Sequence, residues 1–293
     1  MIFNSLEFAI FLPLVFLLYW LVLGHSRKAQ NWFLVIASYL FYGWWDWRFL
    51  ILIFASSLVD YVVGLYLGKV ADNKVTARKV LLAVSLVANL GLLGVFKYYN
   101  FFIESLSEAV TLFGQQLDVP TLSWVLPVGI SFYTFQTLSY SIDVYRKKIQ
   151  PVHDPVAFFA YVSFFPQLVA GPIERASHLV PQFMKPRVFS NTYASDGLRQ
   201  ILWGLLKKMV IADNCAVLVN QIFDTPESYP GSILVLGAVL FAFQIYGDFS
   251  GYSDIAIGTA RLFGFDIMRN FAYPYFSRDI AEFWRRWHIS LSS

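Results

Sequence analysis

Long apolar runs recur along the whole sequence and constrain its fold more than any other feature. About eight are present, at residues 6–23, 32–45, 49–67, 80–96, 122–142, 156–170, 201–222 and 232–245. A helix needs roughly 20 apolar residues to cross a bilayer, and backbone polar groups in lipid must be paired within the segment. The runs lack the period-two alternation of strands, so we predict an all-α, polytopic transmembrane helical bundle. The short runs 32–45 and 156–170 are expected to be tilted, re-entrant or extended by their flanks.

The composition supports a single membrane-embedded domain over residues 1–293. Apolar residues make up 57% of the chain and charged residues 14%, whereas soluble domains carry about 25% charged residues. A net charge of +3, scattered along the chain, gives no indication of nucleic-acid binding. Cys215 is the only cysteine, so no intrachain disulfide is expected. Neither metal-ligand spacing nor a phosphate-binding glycine loop is found, so no metal site is predicted.

Basic residues alternate between the predicted loops. The first, third and fifth loops hold Lys and Arg at 27, 28, 69, 74, 78, 79 and 146–148, whereas the second and fourth hold only Arg48 and Lys97. Because cytoplasmic loops are enriched in Lys and Arg, we predict that the odd loops are cytoplasmic and the N-terminus extracytoplasmic. The first residues lack the basic region of a cleavable signal, so the first run is expected to be retained. Residues 171–196 are expected to be cytoplasmic or partly re-entrant.

Ionisable residues inside apolar segments are informative, since each costs about 2.5–3.5 kcal/mol on insertion scales. Asp248 and Asp254 flank Ser250 in a polar, glycine-containing stretch that continues the last apolar run. Such a stretch indicates either a bent or unwound helix facing a protein-lined cavity, or a hydrogen-bond network between helices. Asp60 and Glu7 lie near the ends of predicted spans, where we expect them to reach the interface.

The last residues, 277–293, predict an amphipathic helix with Ser277 as N-cap and Asp279 in the first turn. Its apolar positions are 280, 283, 284, 287 and 291, and its charged positions are 278, 282, 285 and 286. A helix this charged is expected to lie in the interface or to dip into a cavity. His288 falls on the inward face, where a neutral imidazole can take a proton from an attacking hydroxyl or serve a structural role.

Several long motifs follow one another in a fixed order. They are NSLEFAIFLP at 4–13, GISFYTFQ at 129–136, FFPQLVAGPIE at 164–174, YGDFSGYSDIAIG at 246–258 and EFWRRWHISLS at 282–292. Together they resemble the bacterial membrane-bound O-acyltransferase family, and most closely its alginate O-acetyltransferase branch. Several motifs in one order are far more specific than any single one.

The resemblance implies an enzyme of the bacterial inner membrane. Such an enzyme takes an acyl group, usually acetyl from acetyl-coenzyme A, at the cytoplasmic side and passes it to an extracytoplasmic polysaccharide, commonly through a partner transferase. The acyl donor is a substrate, and no bound cofactor is implied. His288 matches the first of two core histidines in the family, and the second lies in a later Trp-His motif that this sequence does not contain. The resemblance therefore predicts a C-terminally truncated chain that is inactive by itself.

On this hypothesis His288 handles the proton or orients the acyl group. Asp248, Ser250 and Asp254 would line the polar passage, and Arg285 and Arg286 would attract the anionic coenzyme at the cytoplasmic mouth. Two rival hypotheses stay open at this point. Intramembrane carboxylates and glycine-broken helices also serve secondary transporters, although these often carry paired broken segments and only one is predicted here. A membrane scaffold that recruits a polysaccharide-synthesis complex is the second rival.

Overall fold

The chain folds as a set of packed α-helices, and no strand occurs in the part of it that is described. The structure is a computed structural model that describes residues 1–112, 126–169 and 171–292. In chain order its helices are α1 (Leu6–Leu17), α2 (Arg27–Gly43), α3 (Phe49–Lys69), α4 (Val75–Leu93), α5 (Tyr99–Thr111), α6 (Ile130–Tyr145), α7 (Pro155–Ser163), α8 (Phe165–Leu168), α9 (Ala176–Met184), α10 (Asn191–Leu205), α11 (Asp213–Phe223), α12 (Gly231–Leu262), α13 (Ile280–Arg286) and α14 (Ile289–Ser292). Three π-helical segments extend α1, join α4 to α5 and join α10 to α11, at Leu18–Val22, Gly94–Tyr98 and Leu206–Ala212.

The predicted membrane bundle is confirmed. Among the described residues three helical segments are long and apolar enough to cross a bilayer, and a shorter apolar helix precedes them: Phe49–Lys69, Val75–Thr111, Gly231–Leu262 and Leu6–Val22. The start of the predicted run 122–142 lies outside the described residues, and the rest of it falls in α6. The run 156–170 is divided at Phe164 into α7 and α8.

Residues 155–169 and 171–184 form the two arms of a hairpin that packs into the bundle. α7 runs along α2, and the Phe165 amide donates to Ser38 Oγ at 3.1 Å, near the middle of α2. α9 then returns to the start of α2, where the Asn31 side chain donates to the Phe183 carbonyl at 3.0 Å. The start of the polar connection therefore packs inside the bundle, and whether it is cytoplasmic or partly re-entrant stays a prediction.

The basic third and fifth loops share one end of the bundle. Asp72, between α3 and α4, pairs with Lys147, just after α6, at 2.5 Å. The N-terminus lies at the opposite end, because the Met1 ammonium donates to the carbonyl of Phe41, near the end of α2, at 2.9 Å. The N-terminus and the basic third and fifth loops therefore lie at opposite ends of the bundle, as the alternation of basic loops predicts. The orientation of the bundle relative to the cytoplasm stays a prediction.

Asp60 is fully buried between helices and does not reach the interface. Its carboxylate accepts hydrogen bonds from Ser85 at 2.5 Å and Asn89 at 2.7 Å on α4, and from Ser141 at 2.6 Å on α6. The expectation of an interfacial side chain is wrong because two neighbouring helices supply the donors that water would otherwise provide. A carboxylate with internal donors is tolerated at membrane depth.

α12 is one continuous helix of 32 residues, so the unwinding that was one of the alternatives for residues 244–254 is not found. Its glycines instead allow α10 to approach closely. A Cβ added at Gly204 would lie 2.6 Å from the Gly251 carbonyl oxygen, and one added at Gly197 would lie 2.7 Å from that of Gly258. Small residues permit such close backbone contact between membrane helices. α10 and α12 thereby form one wall of the site described next.

Candidate functional site

A cavity of about 760 Å³ lies between α10, α12 and the return segment, residues 269–276, that follows α12. Its charged and polar lining comes from α10 and its π-helical extension, from α12 and from the return segment: Asp196, Arg199, Gln200, Lys207, Ser250, Ser253, Asp254, Arg269 and Asn270. Aromatic side chains cover much of the rest: Trp203, Phe243, Tyr246, Phe271, Tyr273, Tyr275 and Phe276. The cavity therefore joins a charged region to an apolar one.

An ion pair between α10 and α12 forms part of the charged wall. Lys207 Nζ contacts Asp254 Oδ2 directly, and both side chains are mostly buried. Gln200 donates to Asp254 Oδ1 at 3.1 Å and accepts from Arg261 at 2.7 Å. Buried charges need partners of this kind. The sequence analysis missed Lys207 and Gln200, although their spacing of seven residues in an apolar helix places them on one face.

The structure brings Ser250 and Asp254 to the cavity but not Asp248. The Ser250 side chain is 1% exposed, and its Oγ has no hydrogen-bond partner among the described residues. Asp248 is absent from the cavity lining, its side chain is 54% exposed, and it pairs with Lys208 at 2.8 Å. One face of α12 thus offers an unpaired hydroxyl and a paired carboxylate to the cavity.

The predicted C-terminal helix is divided in two. Asp279, not Ser277, is the N-cap of α13, because its Oδ1 accepts from the Glu282 amide at 2.6 Å. α13 ends at Arg286, and the chain is extended at Trp287 before α14 begins. The expectation of one helix over 277–293 is therefore wrong. The reason is the pairing of the chain around His288 with the return segment.

The two arginines proposed for the coenzyme occupy different environments. Arg286 pairs directly with Glu282, which also accepts from Arg278 Nε at 3.1 Å. Hydrogen bonds from Arg278 and the charges of both arginines lower the pKa of Glu282 to about 2. Arg285 is exposed. Neither Arg285 nor Arg286 belongs to the cavity lining.

The His288 imidazole is half-buried at the depth of the middle of α12. Its ring stands edge-on to Phe249, with centroids 4.8 Å apart. The cavity lining does not include His288, but it includes Phe271, whose ring lies 5.0 Å from Phe249. Burial lowers the pKa of His288, which favours the neutral imidazole. Its Nε2 is buried with no hydrogen-bond partner among the described residues.

The backbone at His288 is strained. Its φ of +48° lies in the left-handed region, which non-glycine residues rarely adopt. Such a conformation costs on the order of 1–3 kcal/mol and persists only where the surroundings impose it. Here the Ala272 amide donates to the Arg286 carbonyl at 3.0 Å, and the Ile289 amide donates to the Asn270 carbonyl at 2.9 Å. Strain of this kind concentrates at functional sites.

A buried carboxylate fastens the hairpin of α7, α8 and α9 to residues 266–268, which follow α12, and no role was predicted for it from the sequence. Glu174 is fully buried, accepts from the Met268 amide, and lies 2.9 Å from His178 Nδ1. His178 Nε2 lies 3.7 Å from Asp266. The i,i+4 spacing of Glu174 and His178 is the signal that indicates their pairing.

Comparisons with known proteins agree with this architecture. The family model "MBOAT, membrane-bound O-acyltransferase family" matches residues 40–293. The probable alginate O-acetylase AlgI of Pseudomonas aeruginosa is 43% identical over 294 residues, which cover 100% of this chain and 55% of that protein.

Two relatives with other named acceptors are more distant. The peptidoglycan O-acetyltransferase of Helicobacter pylori is 34% identical over 321 residues, covering 100% of this chain and 60% of its own length. The teichoic acid D-alanyltransferase of Bacillus subtilis is 31% identical over 173 residues, covering 56% of this chain and 42% of its own length. The chain spans little more than half the length of the relatives that it matches throughout. The chain belongs to the membrane-bound O-acyltransferase family.

Proposed function

We propose that this protein transfers an acyl group, acetyl in the first instance, from cytoplasmic acyl-coenzyme A to an extracytoplasmic polysaccharide or to a partner transferase that modifies it. The observation that carries the proposal is the half-buried imidazole of His288, which lies against Phe249 near the middle of α12 and has no partner at Nε2 among the described residues. A neutral base at this depth is what acyl transfer between the two faces of a membrane requires.

The chemistry assigned to His288 is general base catalysis. The acceptor hydroxyl gives its proton to the imidazole while its oxygen attacks the thioester carbonyl. The carbon–sulfur bond then breaks, and the imidazolium returns the proton to the leaving thiolate. A positioned base of this kind contributes typically about 10²–10⁴-fold to the rate. The second histidine of the family pattern would act beside it, and residues 1–293 contain one Trp-His pair, at Trp287 and His288.

The cavity supplies the passage in this proposal. Ser250 and Asp254 would line the passage, because both face the cavity, whereas Asp248 pairs with Lys208 outside the cavity lining. Arg199, Lys207 and Arg269 are cations of the cavity wall and suit the phosphates of an acyl-coenzyme A. Arg285 is exposed and Arg286 is engaged by Glu282, so we assign both to attraction of the donor from solution rather than to the cavity.

The acceptor is proposed from the names of the relatives. They name alginate, peptidoglycan and teichoic acid, which are polymers with hydroxyl or other nucleophilic groups. We therefore propose a cell-envelope or secreted polysaccharide as acceptor, an inner-membrane location and an extracytoplasmic N-terminus. A secondary transporter is less well supported, because α12 is unbroken where a transporter was expected to have an unwound segment.

A sided acyl-transfer assay tests the proposal. The protein at the full length of its relatives is reconstituted in liposomes with radiolabelled acetyl-coenzyme A on one side and oligosaccharide acceptor on the other. We expect labelled acceptor across the membrane. Residues 1–293 alone should show no turnover, and turnover by them would contradict the need for a second histidine. Solute uptake without label transfer would favour the transporter instead.

A further inference from the structure

The strained position of His288 is imposed by the return segment. The backbone of residues 270–272 pairs with that of residues 286–289 on both sides of the imidazole, at 2.9 and 3.0 Å. These two hydrogen bonds leave the chain little freedom between them. The left-handed φ of +48° at His288 is the conformation that closes this short pairing.

Asn270 is the centre of this arrangement. Its side chain is 1% exposed, and its backbone carbonyl, its Oδ1 and its Nδ2 each take part in a hydrogen bond. Its carbonyl accepts from Ile289 at 2.9 Å, its Oδ1 accepts from Ser290 Oγ at 2.5 Å, and its Nδ2 donates to Ser253 Oγ at 3.0 Å. Asn270 thus binds α14 and α12 at the same time.

Ser253 and Ser290, the two residues whose hydroxyls bond to the Asn270 side chain, lie on either side of the contact between His288 and Phe249. Ser253 is one helical turn beyond Phe249, the residue whose ring meets His288. Ser290 lies two residues after His288 and also accepts a hydrogen bond from the Ile173 amide at 3.0 Å. A shift of the Asn270 side chain would therefore move His288 relative to Phe249. Asn270 makes this connection without contacting the imidazole itself.

We propose that Asn270 is a positioning residue that fixes the place and environment of His288 in the acyl-transfer site. The proposal rests on the proposed function for its kinetic consequence, but its structural consequence is independent of it. An amide suits the role because it offers an acceptor and a donor without adding a buried charge. Because Asn270 and Ser253 also line the cavity, the same network couples the cavity wall to the imidazole.

The test replaces Asn270 with leucine, which has a similar volume and no hydrogen-bonding group. Asn89→Leu is the matched control, because Asn89 is also 1% exposed and bonds to Asp60 and Ser56 in the bundle, away from His288. Both variants lose buried hydrogen bonds, so both lose stability. A change at His288 that appears in Asn270→Leu but not in Asn89→Leu therefore reports on the position of His288.

The main readout is the NMR signal of His288 in protein labelled at histidine Cε1. The chain has four histidines, and His288→Gln assigns the resonance. We expect Asn270→Leu to shift this resonance and to raise the pKa of His288 toward its ordinary value of about 6.5, because a displaced ring becomes hydrated. Asn89→Leu should leave both unchanged. If Asn270→Leu does not fold, Ser290→Ala removes one of the hydrogen bonds of Asn270, together with the one from the Ile173 amide, and should shift the resonance in the same direction.

The second readout is kinetic and uses the protein at the length of its relatives. We expect Asn270→Leu to lower kcat by about 10²-fold, the usual effect of a misplacement near 1 Å, with the KM for the acyl donor unchanged. A folded Asn270→Leu variant whose His288 resonance and titration match the wild type would overturn the positioning role. A displaced His288 in a protein whose wild type transfers no label would leave the positioning role intact and contradict the proposed function.

Discussion

Replacing His288 with alanine should lower the rate of acetyl transfer by about 10²–10⁴-fold, the contribution of a positioned general base. Burial lowers the pKa of His288, and its Nε2 has no hydrogen-bond partner in the part of the chain that the structure describes. Alanine cannot take the proton of the acceptor hydroxyl, so the attacking oxygen stays a weak nucleophile. The measurement is the initial rate of label transfer from acetyl-coenzyme A in proteoliposomes.

His25→Ala is the matched control for this experiment. His25 is exposed in the first basic loop and has no place in the proposed mechanism, so its removal should leave the rate unchanged. Circular dichroism and gel filtration show whether each variant is folded. A folded His288→Ala variant that transfers label at nearly the wild-type rate would remove His288 from the mechanism, although the membrane fold would still hold.

Replacing Gly204 with leucine should destabilise the bundle by about 3 kcal/mol, the upper part of the usual range for overpacking. The Cβ of any side chain at this position would lie 2.6 Å from the Gly251 carbonyl oxygen and 2.9 Å from the Ile255 amide nitrogen. Both atoms belong to the backbone of α12, so neither can rotate away. α10 and α12 must separate, which also opens the cavity wall. The measurement is the midpoint of thermal unfolding in detergent.

Gly91→Leu provides the control because a Cβ at Gly91 would meet nothing within 4 Å. Gly91→Leu also replaces a glycine of an apolar helix with leucine, so it differs from Gly204→Leu in lacking the clash with a neighbouring backbone. We expect its unfolding midpoint to match the wild type and that of Gly204→Leu to fall by roughly 5–10 °C, scaling from the usual effect of 1 kcal/mol. Equal midpoints for the two variants would show that α10 and α12 are not in close contact.

The helices were predictable because lipid leaves the backbone so few alternatives. Each long apolar run must satisfy its own hydrogen bonds, so runs such as 6–23 and 49–67 become helices with ends close to those expected. The hairpin of α7, α8 and α9 could be predicted only in part. Its break at Phe164 depends on contacts with α2, such as the hydrogen bond from Phe165 to Ser38, which are distant in sequence.

The glycines of α12 show why local patterns mislead here. In one helix, Gly247 and Gly251 suggest unwinding, but they face Lys207, Lys208 and Gly204 of the neighbouring segment and allow close packing instead. The meaning of a small residue therefore depends on a partner that the sequence does not identify. Once α12 is continuous, Asp248 and Asp254 differ by roughly 240° around its axis, which explains why only Asp254 lies at the cavity.

The structure around His288 depends on hydrogen bonds between backbone segments that are separated in the sequence. The spacing of apolar residues predicted one helix through His288, but residues 270–272 pair with residues 286–289 and end α13 at Arg286. No local signal indicates this pairing. The identity of His288 as the candidate base came from its residue type and the family resemblance. Its strained backbone, its contact with Phe249 and its dependence on Asn270 emerge only from the structure.

The pH dependence of label transfer by the protein at the length of its relatives tests most directly whether His288 is the base. Burial lowers the pKa of His288, so the neutral, proton-accepting imidazole predominates at pH 7. We expect kcat/KM to be constant near neutrality and to fall tenfold per pH unit as the pH drops through a value below about 6.5, the ordinary histidine pKa. A rate that rises as the pH falls from about 7 toward 5 would contradict catalysis by a neutral His288.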